Sequence, residues 1–208
     1  MTFHKLFAFF CTIFLCVPIC SCGKNSDAGN NVPADNNSAV GQDDTEACKM
    51  YYSYEMPKEW SEYSDGAKCK SRGAYFTALS APDTGDVFST DIYLFYYSPE
   101  NAQFPEYAKY INANSRNIFG ETETQTEKYE PVREITFEGK KAFLLERKNK
   151  SFANNHSKSS ESAWKKERIY VIPAEKGFYV LHYSAEEGEY DKHIRTFEKL
   201  AKSFKGKI

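Results

Sequence analysis

The order of β-type runs and helical patterns predicts an α+β domain over residues 48–208. Its sheet is predicted to be mainly antiparallel and twisted, with about six to seven strands and two main packing helices. Two observations support this class: strand-like runs joined by short turns, and apolar spacing that turns helical after Pro105 and again near the C-terminus. Short turns favour antiparallel pairing, and each helix must bury its apolar side against the sheet.

Three runs rich in aromatic and β-branched residues predict the strands in the first part of the domain. They span residues 50–54, 74–79 and 87–96. Residues 92–96 are continuously apolar, so we expect the third run to be a central strand of the sheet.

The apolar spacing changes to a helical one after Pro105. Tyr107, Ile111 and Ile118 recur at intervals of four and seven residues, and Gly120 provides a C-terminal stop. The pattern predicts a helix over residues 104–119.

Four later runs predict two β-hairpins, because a glycine-containing turn joins the two members of each pair. The first pairs residues 129–137 with 141–147, and the second pairs 164–172 with 178–183. A polar stretch, 149–163, separates the hairpins and is predicted to be a long loop.

The last part of the chain predicts a clear amphipathic helix. Tyr190, Ile194, Phe197, Leu200 and Phe204 form one apolar stripe at helical spacing. Acidic residues at its start favour the helix dipole.

This layout resembles the PsbP-like group of small α+β domains, which includes bacterial envelope lipoproteins. The matching residues are Pro-Lys-Glu-Trp at 57–60, Glu-Gly-Lys at 138–140 and Ala-Lys-Ser-Phe at 201–204, with Tyr170 and Tyr179 on their strands. The polar stretch 149–163 departs from the pattern. The resemblance implies a non-enzymatic accessory or binding role.

The N-terminal residues 1–21 have the pattern of a signal peptide. Lys5 precedes an apolar run of about fifteen residues, which is shorter than the roughly 20 needed to span a bilayer as a helix. A plain signal peptide and a tilted anchor helix are the alternatives to the lipoprotein signal described next.

The sequence Ile-Cys-Ser-Cys at 19–22 resembles the lipobox of bacterial lipoproteins. Ile19 fits position −3, Ser21 fits position −1, and Cys22 is the predicted lipid acceptor. Cys20 is the rival acceptor, but Ile19 would then occupy the position of a small residue. Several acyl chains would anchor the protein stably.

The resemblance to lipoproteins also implies an address. Gly23 and Lys24 lack the aspartate that retains many such proteins at the inner membrane, so we expect the outer membrane, on its periplasmic or surface face, if the host has one. The membrane, reached through the lipid, is therefore the first predicted partner.

Residues 22–47 are rich in Asn, Asp, Gly, Ser and Ala and predict a disordered polar tether. A flexible chain of that length has an end-to-end distance of ~25–30 Å. The two cysteines beyond it, Cys48 and Cys69, predict a disulfide in an exported protein, with a metal or redox pair as the alternative.

Composition and motifs bear on the classes of function. The net charge of −2 argues against nucleic-acid binding. No metal-ligand spacing, phosphate-binding loop or nucleophile motif occurs, so we expect no cofactor, no metal site and no catalytic residue. His182 is expected to be a half-buried sheet residue.

The sequence therefore predicts a lipid-anchored, non-catalytic envelope protein. A membrane-tethered hydrolase of envelope material and a carrier of a small ligand are the alternatives. The partner is predicted to be an unknown envelope protein or polysaccharide.

One group of basic and aromatic residues around the polar stretch is a candidate contact surface for anionic lipid headgroups, an acidic polysaccharide or an acidic protein face. The sequence favours the other interpretation, a solvated, mobile hairpin loop. The group consists of Lys150, Phe152, Lys158, Trp164, Lys165, Lys166 and Arg168.

Overall fold

The structure, a computed structural model, describes residues 48–64, 73–82, 88–152 and 162–208. These residues all belong to one compact unit, 39–208. The predicted signal peptide, the lipid acceptor Cys22, the tether 22–47, and the residues Cys69 and Lys158 lie outside the described residues. None of the described helices has the length and apolar character needed to cross a membrane.

An eight-stranded sheet forms the centre of the fold, and every strand pair in it is antiparallel. Seven strands follow the spatial order β2-β3-β4-β9-β8-β7-β5, and β6 also pairs with β7. The strands are β2 (Ser61–Ser64), β3 (Ala74–Ser80), β4 (Asp91–Tyr97), β5 (Glu127–Tyr129), β6 (Arg133–Phe137), β7 (Lys140–Phe152), β8 (Ser162–Pro173) and β9 (Phe178–Glu186).

Two helices pack on opposite faces of this sheet. Helix α1 (Tyr107–Asn114) buries Tyr110 against Phe178 on one face, and the Tyr107 ring stacks on Phe143 there. Helix α2 (Glu187–Ser203) buries Phe197 on the other face, where the ring stacks on those of Tyr170 and Tyr183. The predicted α+β class is confirmed.

A second, two-stranded sheet joins the two ends of the described chain. Strand β1 (Tyr52–Ser53) pairs with β10 (Lys205–Gly206). The predicted first strand, 50–54, is thus shorter than expected and lies outside the main sheet. Tyr52 nevertheless reaches the core, where its hydroxyl bonds Thr77 Oγ1 at 2.9 Å.

Several predicted boundaries were wrong for local reasons. The helix predicted over 104–119 ends at Asn114. The strand predicted over 129–137 is two strands, because Pro131 has no N–H to continue the ladder. The two ends of the polar stretch 149–163 are strand rather than loop: β7 continues to Phe152 and β8 begins at Ser162, so these end residues form a β-ribbon, and residues 153–161 lie outside the described residues.

Candidate functional site

The candidate site lies where β5, β7 and β8 run side by side. Lys128 is directly opposite Lys148, and Lys148 is directly opposite Lys166. Residues paired across antiparallel strands project from the same face of a sheet. The structure therefore aligns three lysines, here called the lysine row, across three adjacent strands.

The lysine row is unfavourable for the fold. Directly opposite residues in an antiparallel pair have Cβ atoms about 4.5–5.5 Å apart, and like charges there destabilise the sheet. Glu187, the first residue of α2, relieves part of this repulsion: its Oε1 lies 2.6 Å from Lys148 Nζ and 3.5 Å from Lys166 Nζ. Glu187 thus pairs with two of the three lysines, and Glu123, which forms an isolated antiparallel bridge with Lys128, stands opposite the third.

Aromatic rings extend this face in both directions from the lysine row. Lys166 Nζ lies 5.5 Å from the centre of the Tyr190 ring. Two register positions farther along the ribbon, Lys150 is directly opposite Trp164, and its Nζ lies 5.8 Å from the Phe152 ring centre. Such cation–π contacts leave the ammonium charge available to an anion.

We name the lysine row together with Lys150, Phe152, Trp164 and Tyr190 the basic–aromatic face. The ribbon portion, residues 150–152 and 162–164, projects beyond the last residues of β5 and β9 that pair with it. The exposed Phe152 ring, with 41% of its surface accessible, lies at the outer end of this projection.

The structure divides the contact surface predicted from the sequence. The structure places five of its residues on one side of the sheet: Lys150, Phe152, Trp164, Lys166 and Arg168. Lys165 pairs with Asn149 and projects from the opposite face. Lys158 lies outside the described residues.

Arg168 shares the side of the basic–aromatic face but is engaged elsewhere. Its guanidinium donates to Glu146 Oε1 at 2.8 Å and to Glu198 Oε1 at 3.0 Å. Arg133 also contacts Glu146, at 2.5 Å. Carboxylates neutralise the charges of these two arginines, and this distinguishes the arginines from the lysine row.

A groove of about 530 Å³ adjoins the lysine row. It opens where Pro131 separates β5 from β6, so that the ladder to β7 is interrupted between them. All three lysines of the row and Tyr190 contribute to its lining, together with Glu130, Pro131, Arg133, Glu146, Arg147 and Glu167. The groove gives an elongated ligand a place beside the row.

The opposite side of the same strands holds a buried charge cluster, made of Glu167, Arg147, His182 and Asn149. Arg147 Nε donates to Glu167 Oε2 at 2.7 Å, and His182 Nε2 donates to the same oxygen at 2.7 Å. Asn149 Nδ2 donates to the other oxygen, Oε1, at 2.8 Å. Only 3% of the Glu167 side chain is exposed.

The ionisation of Glu167 in this cluster follows from its burial among charged partners. Burial alone would raise the pKa of Glu167, but the charges of Arg147 and His182 and their hydrogen bonds outweigh burial and hold the pKa well below its ordinary value. The carboxylate is therefore ionised and fully committed to its neighbours. We assign this cluster to stability rather than to chemistry.

Sequence reasoning missed the buried charge cluster. Glu167 was hidden among Lys165, Lys166 and Arg168, which together look like a surface run of charge. The available signal was the strand period of two, which places Glu167 in phase with the buried Ile169 and Val171. His182 is a half-buried sheet residue, as expected, with 15% of its side chain exposed.

Cys48 is buried and has no disulfide partner among the described residues, and its Sγ lies 3.1 Å from the Phe76 carbonyl oxygen, to which the thiol donates. Burial raises the pKa of this thiol. Since Cys69 lies outside the described residues, the predicted disulfide stays a prediction. Among the described residues, no group of three potential ligands could hold a metal ion.

No family model matches the sequence, and no curated protein matches it significantly. Among solved structures, cyanobacterial PsbP (CyanoP) from Synechocystis sp. PCC 6803 has a TM-score of 0.47 and 13% identity, over 76% of this chain and 88% of that one.

Two further structures show a similarity of the same order. LpqN, involved in cell envelope biogenesis of Mycobacterium tuberculosis, has a TM-score of 0.44 and 14% identity, over 74% of this chain and 81% of that one. PA94, a protein of unknown function and putative regulator from Pseudomonas aeruginosa, has a TM-score of 0.40 and 10% identity, over 74% of this chain and 95% of that one. At TM-scores below 0.5, these similarities assign neither a family nor a function.

Proposed function

We propose that this chain is a lipid-anchored, non-catalytic protein of the cell envelope that binds an anionic polymer, most simply an acidic polysaccharide, on its basic–aromatic face. The anchor is the lipid on Cys22, and the membrane is the outer one where the host has two. Neither a cofactor nor a nucleic acid is part of this role.

The lysine row is the observation that carries the binding role. A sheet gains nothing from three lysines in register, since a threonine or a glutamate at the middle position would stabilise it better. An anionic ligand reverses this balance, because each acidic group placed over the row removes ammonium repulsion and adds attraction. The arrangement is unfavourable in the free protein and favourable in a complex.

The aromatic rings favour a polymer of sugars over a small anion. Flat side chains such as Trp164 and Phe152 can pack against the apolar faces of sugar rings, while the lysines meet carboxylate, sulfate or phosphate groups. A ligand that covers both kinds of side chain must extend from the groove to the ribbon, so it must be long.

Two alternative functions make different demands on the molecule. A hydrolase needs catalytic groups free to act at a cleft, whereas Glu146 at the groove is bound to Arg133 and Arg168, and Glu167 is bound to Arg147 on the opposite side of the sheet. A carrier needs apolar space under a helix, where Phe197, Leu200 and Tyr183 are in fact tightly buried.

The binding role is tested with dextran sulfate as the anionic probe and uncharged dextran as its control. We expect the detergent-solubilised wild-type protein to bind dextran sulfate and to lose binding as salt is raised. Changing all three lysines of the row to glutamine should weaken binding about tenfold at ~0.15 M salt.

The matched control changes Lys140, Lys176 and Lys202 to glutamine, which removes the same charge from exposed positions elsewhere. Equal losses in the two triple variants would show a general charge effect and reject the row as the site. Degradation of an envelope polysaccharide by the wild-type protein would instead favour the hydrolase.

The anchor is tested separately with Cys22→Ala. We expect this variant to lose lipid labelling and to leave the membrane fraction, whereas Cys20→Ala keeps both. Continued labelling of Cys22→Ala would reject Cys22 as the acceptor.

A further inference from the structure

The turn formed by residues 117–121, which follows α1, exposes two large apolar side chains side by side. Ile118 is 71% exposed and Phe119 is 80% exposed. We call this segment the exposed turn. Single exposed apolar residues are ordinary on protein surfaces, but an adjacent pair at the tip of a turn is a typical feature of an interaction site.

The turn is held rigidly by its own polar groups. Asn117 Oδ1 accepts from the backbone N–H of both Phe119 and Glu121, each at 2.9 Å. Asn117 Nδ2 donates to Glu121 Oε2 at 2.9 Å, and the Asn117 N–H donates to the Glu121 carbonyl, also at 2.9 Å.

Gly120 also fixes the backbone conformation of the turn. Its φ of +84° lies in the left-handed region, which glycine adopts without strain. The two apolar side chains are therefore presented in one fixed backbone conformation, so little conformational entropy remains to be lost when they enter an apolar environment.

The shape of the turn and the predicted tether decide between the possible environments. A stable protein interface buries roughly 800 Å² on each partner, far more than two side chains supply. A bilayer accepts a small convex apolar tip, because its lipids move aside. The tether predicted for residues 22–47, with an end-to-end distance of ~25–30 Å, would keep the domain within reach of that bilayer.

We propose that the exposed turn inserts Ile118 and Phe119 into the lipid surface to which the protein is anchored. This inference rests on the proposed lipid anchor and extends it: the lipid holds the chain at the membrane, and the turn gives the domain a second contact and hence a preferred orientation. The partner is the interfacial region of the bilayer rather than a protein.

The test places a photoreactive phenylalanine analogue at position 119 of the full chain in intact cells. Illumination should produce adducts with lipid, several-fold more than the same analogue at Lys140, an exposed hairpin position that serves as the control. Adding Ile118→Ser to the position 119 analogue should lower the lipid adducts several-fold.

Each other outcome overturns the inference. An adduct with a protein would show that the turn binds a protein. Lipid adducts no more frequent than at position 140 would show that the turn stays in solvent. The anchor is measured independently by membrane fractionation of the same cells, so a membrane-bound protein without lipid adducts at 119 rejects the turn and leaves the anchor intact.

Discussion

Consecutive residues of β7 and β8 place opposite electrostatic arrangements on the two sides of one sheet. Arg147 and Glu167 form a closed ion pair in the buried charge cluster, whereas Lys148 and Lys166, their immediate neighbours in sequence, lie in the open lysine row. The first arrangement satisfies its charges internally. The second has three lysines and two facing acidic residues, Glu187 and Glu123, so it keeps an excess of positive charge.

This difference teaches how to separate structural from functional charge. A buried carboxylate with three donors has its hydrogen-bonding capacity filled by the protein and is costly to disturb. An aligned set of like charges at a half-exposed position weakens the fold in which it occurs. The comparison predicts opposite signs for stability when the two sets are mutated.

The largest effect is expected from Arg147→Met, which leaves Glu167 buried without its main partner. We expect the free energy of unfolding, measured by urea denaturation, to fall by about 3–5 kcal/mol. The double variant Arg147→Met/Glu167→Leu removes both charges and should recover most of this loss. A double variant as unstable as the single one would show that the shape of Arg147 matters more than its charge.

A smaller effect is expected from pH, and its sign follows from the depressed pKa of Glu167. In the unfolded chain this carboxyl titrates near 4.5, and in the folded protein it titrates well below that. The stability that it contributes is therefore fully present above about pH 5 and is lost progressively as the pH falls below about 4.5.

The matched measurement compares wild type with Glu167→Gln in urea melts from about pH 7 to about pH 3. The difference in unfolding free energy between the two proteins should be constant at neutral pH and should shrink in acid. A difference that stays constant down to pH 3 would contradict the assignment of Glu167 as an ionised member of the cluster.

The smallest effect, with the opposite sign, is expected from Lys128→Thr. This change removes one of the two like-charge contacts in the row and introduces a residue that favours strands, so the free energy of unfolding should rise by about 0.5 kcal/mol. Lys140→Thr, on the adjoining hairpin, is the control without a lysine directly opposite. A loss of stability in Lys128→Thr alone would mean that the lysine row supports the fold.

The sequence by itself determined the class of the fold and which of its long elements are strands and which are helices. Runs rich in aromatic and β-branched residues predicted β3, β4, β8 and β9, and the stripe from Tyr190 to Leu200 predicted α2, because such patterns reflect burial along a single element. Lys150, Phe152, Trp164 and Lys166 stand close together in the chain, so the sequence could group them, and their role as a contact surface stays a prediction. The signal predicted at residues 19–22 likewise rests on local sequence alone and stays a prediction.

The tertiary structure alone decided which charges meet and which are left open. Lys128 joins Lys148 and Lys166 only through strand pairing across some twenty and forty residues of chain, and Glu167 finds Arg147 and His182 in the same way. Pro131 divided a predicted strand and opened the groove beside the row. Register between distant strands is set by packing of the whole core, so no local pattern in the sequence contains it.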